Sequence, residues 1–108
     1  MNNMPQALKD ELNADPAYNH ETARCARRSE GTCYGRMTWE HAWTYANKEI
    51  QRKWNIVPLC WYHHLGAGLN KFFNRLFAIN QATKEDLAEF NKIDWVKEKR
   101  RLEYELKA

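Results

Sequence analysis

The chain has 108 residues, the size of one domain, and 44% of them are hydrophobic, so it can bury a modest core and is not compositionally disordered. No apolar run approaches the roughly 20 residues that span a bilayer, and no secretion signal begins the chain, so we expect a single cytoplasmic domain over residues 1–108. The net charge is +3, and residues 20–75 hold nine Lys or Arg against four acids. This local excess favours a polyanionic partner, although charges on a solvated surface would give the same count.

The N-terminal part predicts one short helix and then an irregular loop. Apolar residues recur at helical spacing after Pro5, which predicts a helix over residues 5–13 that ends before Pro16. Residues 18–37 contain two cysteines and two glycines. This composition is typical of a loop organised around a ligand.

The middle of the chain predicts a β-hairpin. Thr38–Tyr45 is rich in aromatic and β-branched residues, which suits a strand. Residues 46–53 are polar and basic, as in a connecting loop or a single helical turn. Trp54–Val57 predicts a second short strand, which Pro58 is expected to stop.

A helix is predicted from Leu59 or Cys60, with Gly66 and Gly68 weakening its early turns. Further along, six positions follow helical i, i+3, i+4 spacing, and five of them are apolar. They are Leu69, Phe72, Phe73, Leu76, Phe77 and Asn80. This pattern predicts a helix that faces the core.

The C-terminal helices are predicted over about residues 83–106. Thr83 and Asp86 resemble a capping box that begins one helix, with Leu87 and Phe90 directed inward. Asp94 could cap a last helix whose apolar stripe is Trp95, Leu102 and Leu106. The predicted order is therefore helix, ligand loop, hairpin and helices, an α+β domain.

The cysteines and one histidine predict a structural zinc site. Three cysteines cannot all pair within the chain, and a reducing compartment keeps them as thiols, so metal ligation is favoured over disulfides. Cys60 and His63 have Cys-x2-His spacing where a strand meets a helix, and Cys25 and Cys33 could complete a closed Cys3His tetrahedron. His20 is an alternative ligand, and cysteines buried in an apolar core are the alternative to any metal.

A second group of polar residues suits metal-assisted hydrolysis of a phosphodiester. Glu40, His41, Asn55 and His64 supply a carboxylate, two imidazoles and an amide. Glu40 and His41 are neighbours on a predicted strand and face opposite sides, so they can serve one site only with local twist. His64 follows the predicted zinc ligand by one residue, which turns its imidazole about 100° away on a helix.

The spacing of these groups resembles the HNH endonuclease motif. Glu40-His41, then Asn55, then the run Asn-x4-Cys-x2-His-His carries the likeness, which covers about residues 25–75. It implies a small zinc-stabilised ββα-metal core, about residues 20–75, with flanking helices. The chain departs from the family in the seven residues between its first two cysteines, where two are usual.

The resemblance also implies an activity and a role for each residue. The family hydrolyses DNA phosphodiesters and leaves 5′-phosphate and 3′-hydroxyl ends. By position, Glu40 and His64 would bind one catalytic Mg²⁺ or Mn²⁺ ion, His41 would be the general base, and Asn55 would orient His41. Structural Zn²⁺ would be held separately. Standalone domains of this kind resemble those encoded by phages and mobile elements.

Contacts with DNA would come from basic residues that reach phosphates, and such contacts carry no sequence preference. These residues are Arg24, Arg27, Arg28, Arg36, Lys48, Arg52 and Lys53. Tryptophans flank the motif, and we expect them to pack in the core rather than stack on bases. They are Trp39, Trp43, Trp54 and Trp61.

Two other functions remain open from the residues alone. One is a non-catalytic zinc module that binds nucleic acid and keeps the shape of the motif without turnover. The other is an RNase or toxin-like nuclease, which the same metal and histidine chemistry would serve.

Overall fold

The computed structural model describes residues 4–65 and 71–107, and within these ranges the chain is α+β, as predicted. The described part contains five α-helices and two antiparallel sheets of two strands each. The helices are α1 (Gln6–Asn13), α2 (Trp61–Leu65), α3 (Lys71–Gln81), α4 (Lys84–Ala88) and α5 (Trp95–Lys107). The strands are β1 (Met37–His41), β2 (Thr44–Tyr45), β3 (Lys48–Glu49) and β4 (Ile56–Cys60). Within the two ranges, no helix has the length and apolar character needed to cross a membrane.

Strands β1 and β4 pair antiparallel, and α2 follows β4 without a loop. The register runs from Met37 opposite Cys60 to His41 opposite Ile56. All five residues of β4 are buried. Cys60 at the end of β4 therefore lies beside Met37 at the start of β1, and α2 contacts β1, the strand that carries Glu40 and His41.

Pro58 does not stop the second strand, so that prediction is wrong. Pro58 lies within β4 opposite Trp39, and its carbonyl accepts a hydrogen bond from the Ala26 amide at 2.8 Å, on the edge away from β1. In an antiparallel strand the N–H and C=O of one residue point to the same edge. Proline has no N–H to donate, but at this position the N–H would point away from β1. The hydrogen bonds between β1 and β4 are therefore unaffected.

The predicted strand Thr38–Tyr45 is also wrong in extent, because β1 ends at His41 and a second hairpin follows. Strands β2 and β3 are joined through Ala46 and Asn47, whose φ angles are +52° and +65°. Two consecutive residues with positive φ match the tight turn that the twist of a hairpin favours. The segment predicted as a loop or helical turn therefore holds β3, and a 3₁₀ turn at Lys53–Asn55 replaces the predicted start of the second strand.

The N-terminal helix is confirmed, since α1 follows Pro5 and buries Leu8 and Leu12. The helix predicted from Leu59 or Cys60 begins slightly later, because both residues belong to β4 and α2 starts at Trp61. Its predicted interruption at Gly66 and Gly68 lies outside the described residues, as does Leu69.

Helix α3 is buried along a different line from the one predicted. Its buried side chains are Asn74, Ala78 and Ile79, whereas Asn80 is exposed. The described part of the predicted apolar stripe is only half-buried, because Phe72 packs at the edge of one apolar cluster and Phe77 at the edge of another. The prediction of a core-facing helix is correct, but the inward position of Asn80 is wrong.

The capping box at Thr83 is confirmed. The Asp86 amide donates to the Thr83 hydroxyl at 3.1 Å, and the Asp86 carboxylate accepts from the Thr83 amide at 2.9 Å. In α5, Trp95 and Leu102 are buried, but Leu106 is exposed and does not extend the stripe. The last turn of α5 therefore continues beyond the core.

Candidate metal centre and carboxylate–histidine pair

Three thiols and one imidazole converge where the loop before β1 meets the end of β4. Cys25 and Cys33 come from that loop, Cys60 ends β4, and His63 lies on α2. Their ligand atoms all lie within 4.8 Å of one another. Among the described residues, this is the one group of three or more His, Cys, Asp or Glu side chains that meets this condition.

The distances suit a tetrahedral metal ion. The three sulfurs lie 3.2, 3.8 and 3.2 Å from His63 Nδ1, for Cys25, Cys33 and Cys60 respectively. Zinc bonds of about 2.3 Å to sulfur and 2.1 Å to nitrogen, at tetrahedral angles, separate these atoms by about 3.6 Å. The Cys3His cluster can therefore hold a metal ion such as zinc. The wide spacing between the first two cysteines does not prevent convergence. His20 is exposed and contacts Trp39 instead, with the two rings tilted by 42°.

Main-chain hydrogen bonds position these ligands. The Tyr62 amide donates to the Tyr34 carbonyl at 3.0 Å, and the Trp61 amide donates to the Arg36 carbonyl at 2.8 Å, so the loop is fastened to α2. Gly35 permits this close approach, because a Cβ there would lie 2.7 Å from Trp61 Cβ and its φ is +86°. The ligands thus come from two segments that are hydrogen-bonded to each other.

Hydrogen bonds to the Cys60 sulfur favour its thiolate. Burial alone would raise the pKa of this thiol, but amide donors from His63 and Tyr34 and the neighbouring thiols lower it to about 6. Nε2 of His63 is buried without a hydrogen-bond partner among the described residues. Thiolate sulfur and neutral imidazole nitrogen are ligands that zinc favours, so the donor set fits the ion that the sequence predicted.

Glu40 and His64 face each other across the boundary between β1 and α2. Their Oε2 and Nδ1 atoms are 3.1 Å apart, and the Thr38 hydroxyl lies 3.0 Å from the same nitrogen. The indole of Trp61 stacks on the His64 imidazole, with 5.6 Å between the two ring centroids. Burial raises the pKa of Glu40, although the nearby His64 and His41 act in the opposite direction. The predicted ligand pair is thus brought together, as a carboxylate and an imidazole close enough to share one ion.

His41 ends β1 and has two polar partners that the motif did not indicate. Its Nδ1 lies 3.0 Å from a Glu49 carboxylate oxygen, and its Nε2 lies 2.8 Å from Gln51 Oε1. The His41 side chain is only 3% exposed. Glu49 and Gln51 come from the β2–β3 hairpin and its exit, so only the pairing of those short strands could have identified them.

Asn55 is fully buried and fastens the chain that follows His41. Its side-chain oxygen accepts from the Trp43 amide at 2.8 Å, and its nitrogen donates to the carbonyls of Trp43 and Ile50 at 3.0 Å each. Among the described hydrogen bonds, none joins the Asn55 amide group to His41. The hydrogen bond by which Asn55 was expected to orient His41 is therefore not among them, and Asn55 instead fixes the backbone at both ends of the β2–β3 hairpin, at Trp43 and Ile50.

The seven basic residues predicted to contact DNA divide into two sets. Arg27, Arg52 and Lys53 form ion pairs with carboxylates, and Arg27 is also buried. The other four are exposed and form no ion pair within the described residues. They are Arg24, Arg28, Arg36 and Lys48.

The tryptophans also divide. Trp43 and Trp54 are buried in the cluster built on α3 and α5, as predicted, and Trp39 is half-buried against Tyr18. Trp61 is 38% exposed, so the expectation of core packing is wrong for it.

Comparison of the chain with protein-family models, curated proteins and solved structures finds no match. Function is therefore argued from the site geometry.

Proposed function

We propose that the protein is a metal-dependent endonuclease of the HNH type that hydrolyses DNA phosphodiesters. The observation that carries this proposal is the 3.1 Å approach of the Glu40 carboxylate to the His64 imidazole, next to His41 at the end of β1. An antiparallel strand pair followed directly by a helix mounts these groups beside the Cys3His cluster. A site with this composition suits phosphodiester hydrolysis.

Glu40 and His64 would hold one divalent ion, Mg²⁺ or Mn²⁺. Bound there, the ion would supply charge stabilisation at the scissile phosphate and the leaving 3′ oxygen. The Thr38 hydroxyl and the Trp61 ring, both against His64, would fix the orientation of its imidazole. The Cys3His cluster would have a structural role only, because a metal ion with four protein ligands has no open position for substrate.

His41 would take the proton from the attacking water through Nε2. Glu49 accepts a hydrogen bond from Nδ1–H, and in the neutral ring this would leave the lone pair on Nε2. Nε2 faces Gln51 Oε1, also an acceptor, at 2.8 Å, so Gln51 has to turn away and Nε2 has to carry no hydrogen before it can take a proton from water. Asn55 would hold this arrangement through the hairpin backbone.

One observation favours the non-catalytic zinc module as a second function. The His41 side chain is almost completely buried and both of its ring nitrogens have partners. A general base needs access to its water within hydrogen-bonding distance. A protein that binds nucleic acid without cutting it has no such need.

Cleavage of supercoiled plasmid in Mg²⁺ or Mn²⁺ separates these functions. Wild type should nick the plasmid, and His41→Ala should reduce the rate by about 100-fold to 10,000-fold, the range for loss of acid–base catalysis. His64→Ala removes a proposed ligand of the catalytic ion and should also reduce the rate. His20→Ala is the matched control, since His20 is exposed and lies outside the site, and it should cut at the wild-type rate.

Zinc content should be measured in every variant, so that loss of activity is not loss of the Cys3His centre. Nicking by His41→Ala at the wild-type rate would remove His41 from the mechanism. Binding without cleavage by wild type would favour the zinc module. Faster cleavage of RNA than of DNA in parallel assays would assign the protein to the ribonucleases.

A further inference from the structure

Three aromatic side chains are exposed beside the Cys3His cluster. Tyr34 is 71% exposed, Tyr62 is 57% exposed, and Trp61 is partly exposed between them and His64. The main-chain hydrogen bonds between the loop and α2 make Tyr34 and Tyr62 spatial neighbours. Aromatic side chains are large and mostly apolar, so a group of them at the surface indicates a binding surface.

Arginines surround these rings. The Arg36 guanidinium lies 5.3 Å from the centre of the Trp61 ring. Arg24 and Arg28 line a cavity of about 340 Å³ together with Tyr34. These three arginines form no ion pair within the described ranges, so their charge is available to a polyanion.

The aromatic and basic groups continue into the carboxylate–histidine pair. Trp61 and His64 lie on the same helix with their rings stacked at an interplanar angle of 10°. A strand bound over Trp61 would therefore pass next to Glu40 and His64. Tyrosine, tryptophan and arginine are also common in protein interfaces, but three uncompensated arginines beside this pair favour a phosphate backbone.

We infer that this surface binds single-stranded DNA, with unpaired bases stacking on Tyr34 and Tyr62 and with phosphates at the arginines. We call it the zinc-loop surface; it consists of Arg24, Arg28, Tyr34, Arg36, Trp61 and Tyr62. In a duplex the base faces are covered by neighbouring pairs, so exposed rings gain contacts only where bases are unpaired. The inference rests on the proposed nuclease function and specifies its substrate as DNA with a single-stranded segment.

Fluorescence anisotropy with labelled oligothymidylate tests this surface without any cleavage. The zinc-loaded full chain with His41→Ala is titrated into the single strand and, separately, into a duplex of equal length. The single strand should bind more tightly. In that background, Tyr34→Ala and Tyr62→Ala should each weaken its binding by about 5-fold to 100-fold, as expected when one stacking contact is lost.

Two controls separate stacking from folding. Tyr104→Ala removes a tyrosine that is 74% exposed on α5, away from the zinc loop, and should leave the affinity unchanged. Tyr34→Phe keeps the ring and should retain wild-type affinity, because stacking does not require the hydroxyl.

Arg24→Gln and Arg28→Gln should each lower the slope of log K against log salt by about 0.7, the value for one phosphate contact on a single strand.

Equal affinity for duplex and single strand, or unchanged binding in both tyrosine variants, would overturn the inference. Tighter binding of oligouridylate than of oligothymidylate would overturn the assignment to DNA. These readings are independent of the nuclease proposal. Single-strand binding that depends on the two tyrosines would support the surface even if wild type cut no plasmid, and plasmid nicking without such binding would support only the nuclease.

Discussion

Among single side chains, Asn55 is expected to contribute most clearly to stability through its hydrogen bonds. Asn55→Ala leaves two carbonyls and one amide of the hairpin backbone without their partner in a buried place. We expect it to lower the free energy of unfolding by about 2–3 kcal/mol, since buried polar groups left unsatisfied carry the full desolvation cost. Urea denaturation followed by tryptophan fluorescence measures this change.

Asn80→Ala is the matched control for that measurement. The sequence pattern places Asn80 on the inner face of its helix, whereas the structure exposes it. Its replacement should change the free energy of unfolding by less than about 0.5 kcal/mol. Equal effects of the two substitutions would contradict the role given to Asn55.

At the scale of secondary-structure elements, the contact between α2 and the loop before β1 depends on Gly35, which lies in that loop. Gly35→Ala places a Cβ 2.7 Å from Trp61 Cβ at a φ of +86°, so it should both strain the backbone and push α2 away from the loop. Gly31→Ala adds a Cβ at a similar φ of +108° but with no atom within 4 Å. We expect a clearly larger drop in zinc affinity for Gly35→Ala, measured by competition with a chromophoric chelator. Equal losses in both variants would mean that backbone strain alone matters.

The connection between the end of α1 and the 3₁₀ turn should depend on pH. Lys53 and the Ala17 amide both bond the Asp15 carboxylate, and these contacts lower the pKa of Asp15. A lowered pKa in the folded state means that the stabilisation is present above the unfolded pKa of about 3.9 and is lost as pH falls through the folded value.

Asp15→Asn should therefore lower the free energy of unfolding by less than about 1 kcal/mol at pH 7, as for a solvated ion pair, and the difference from wild type should shrink below about pH 4. Urea denaturation from pH 7 to pH 3 checks this. Asp10→Asn is the control, because the Asp10 carboxylate accepts a hydrogen bond from Gln6 and forms no ion pair within the described part of the chain. If the difference in the free energy of unfolding between wild type and Asp15→Asn grew as the pH fell, the stabilising role of this ion pair would be contradicted.

At the scale of the whole molecule, the metal centre and the core share residues. Cys25 and Cys60 belong to an apolar cluster with Val57 and Leu59, so a bound ion would hold together the same strand that fills the core. We expect about one zinc per chain by elemental analysis and none in Cys60→Ala. Removal of zinc should lower Tm by at least about 10 °C, because metal affinity contributes to folding stability.

Readdition of zinc to the stripped wild type should restore its Tm, which separates metal loss from damage by the chelator. A wild-type protein that carries no metal after dialysis, or whose Tm does not respond to chelation, would contradict the structural role of the cluster.

The sequence alone determined those features that depend on near neighbours in the chain. Helical spacing after Pro5 predicted α1, and the Thr83–Asp86 pair predicted the start of α4, because both signals act within one or two turns. The Cys-x2-His spacing likewise predicted that Cys60 and His63 converge at one junction, where both belong to the Cys3His cluster.

Only the tertiary structure decided features that depend on what packs alongside. Pro58 stays within β4 because its missing donor faces away from β1. Trp61 packs against Gly35, His64 and Arg36, which still leaves it 38% exposed at the surface. Glu49 and Gln51 reach His41 through the pairing of β2 with β3. Local spacing cannot reveal such contacts, because a strand edge or a ring face is defined by residues distant in the chain.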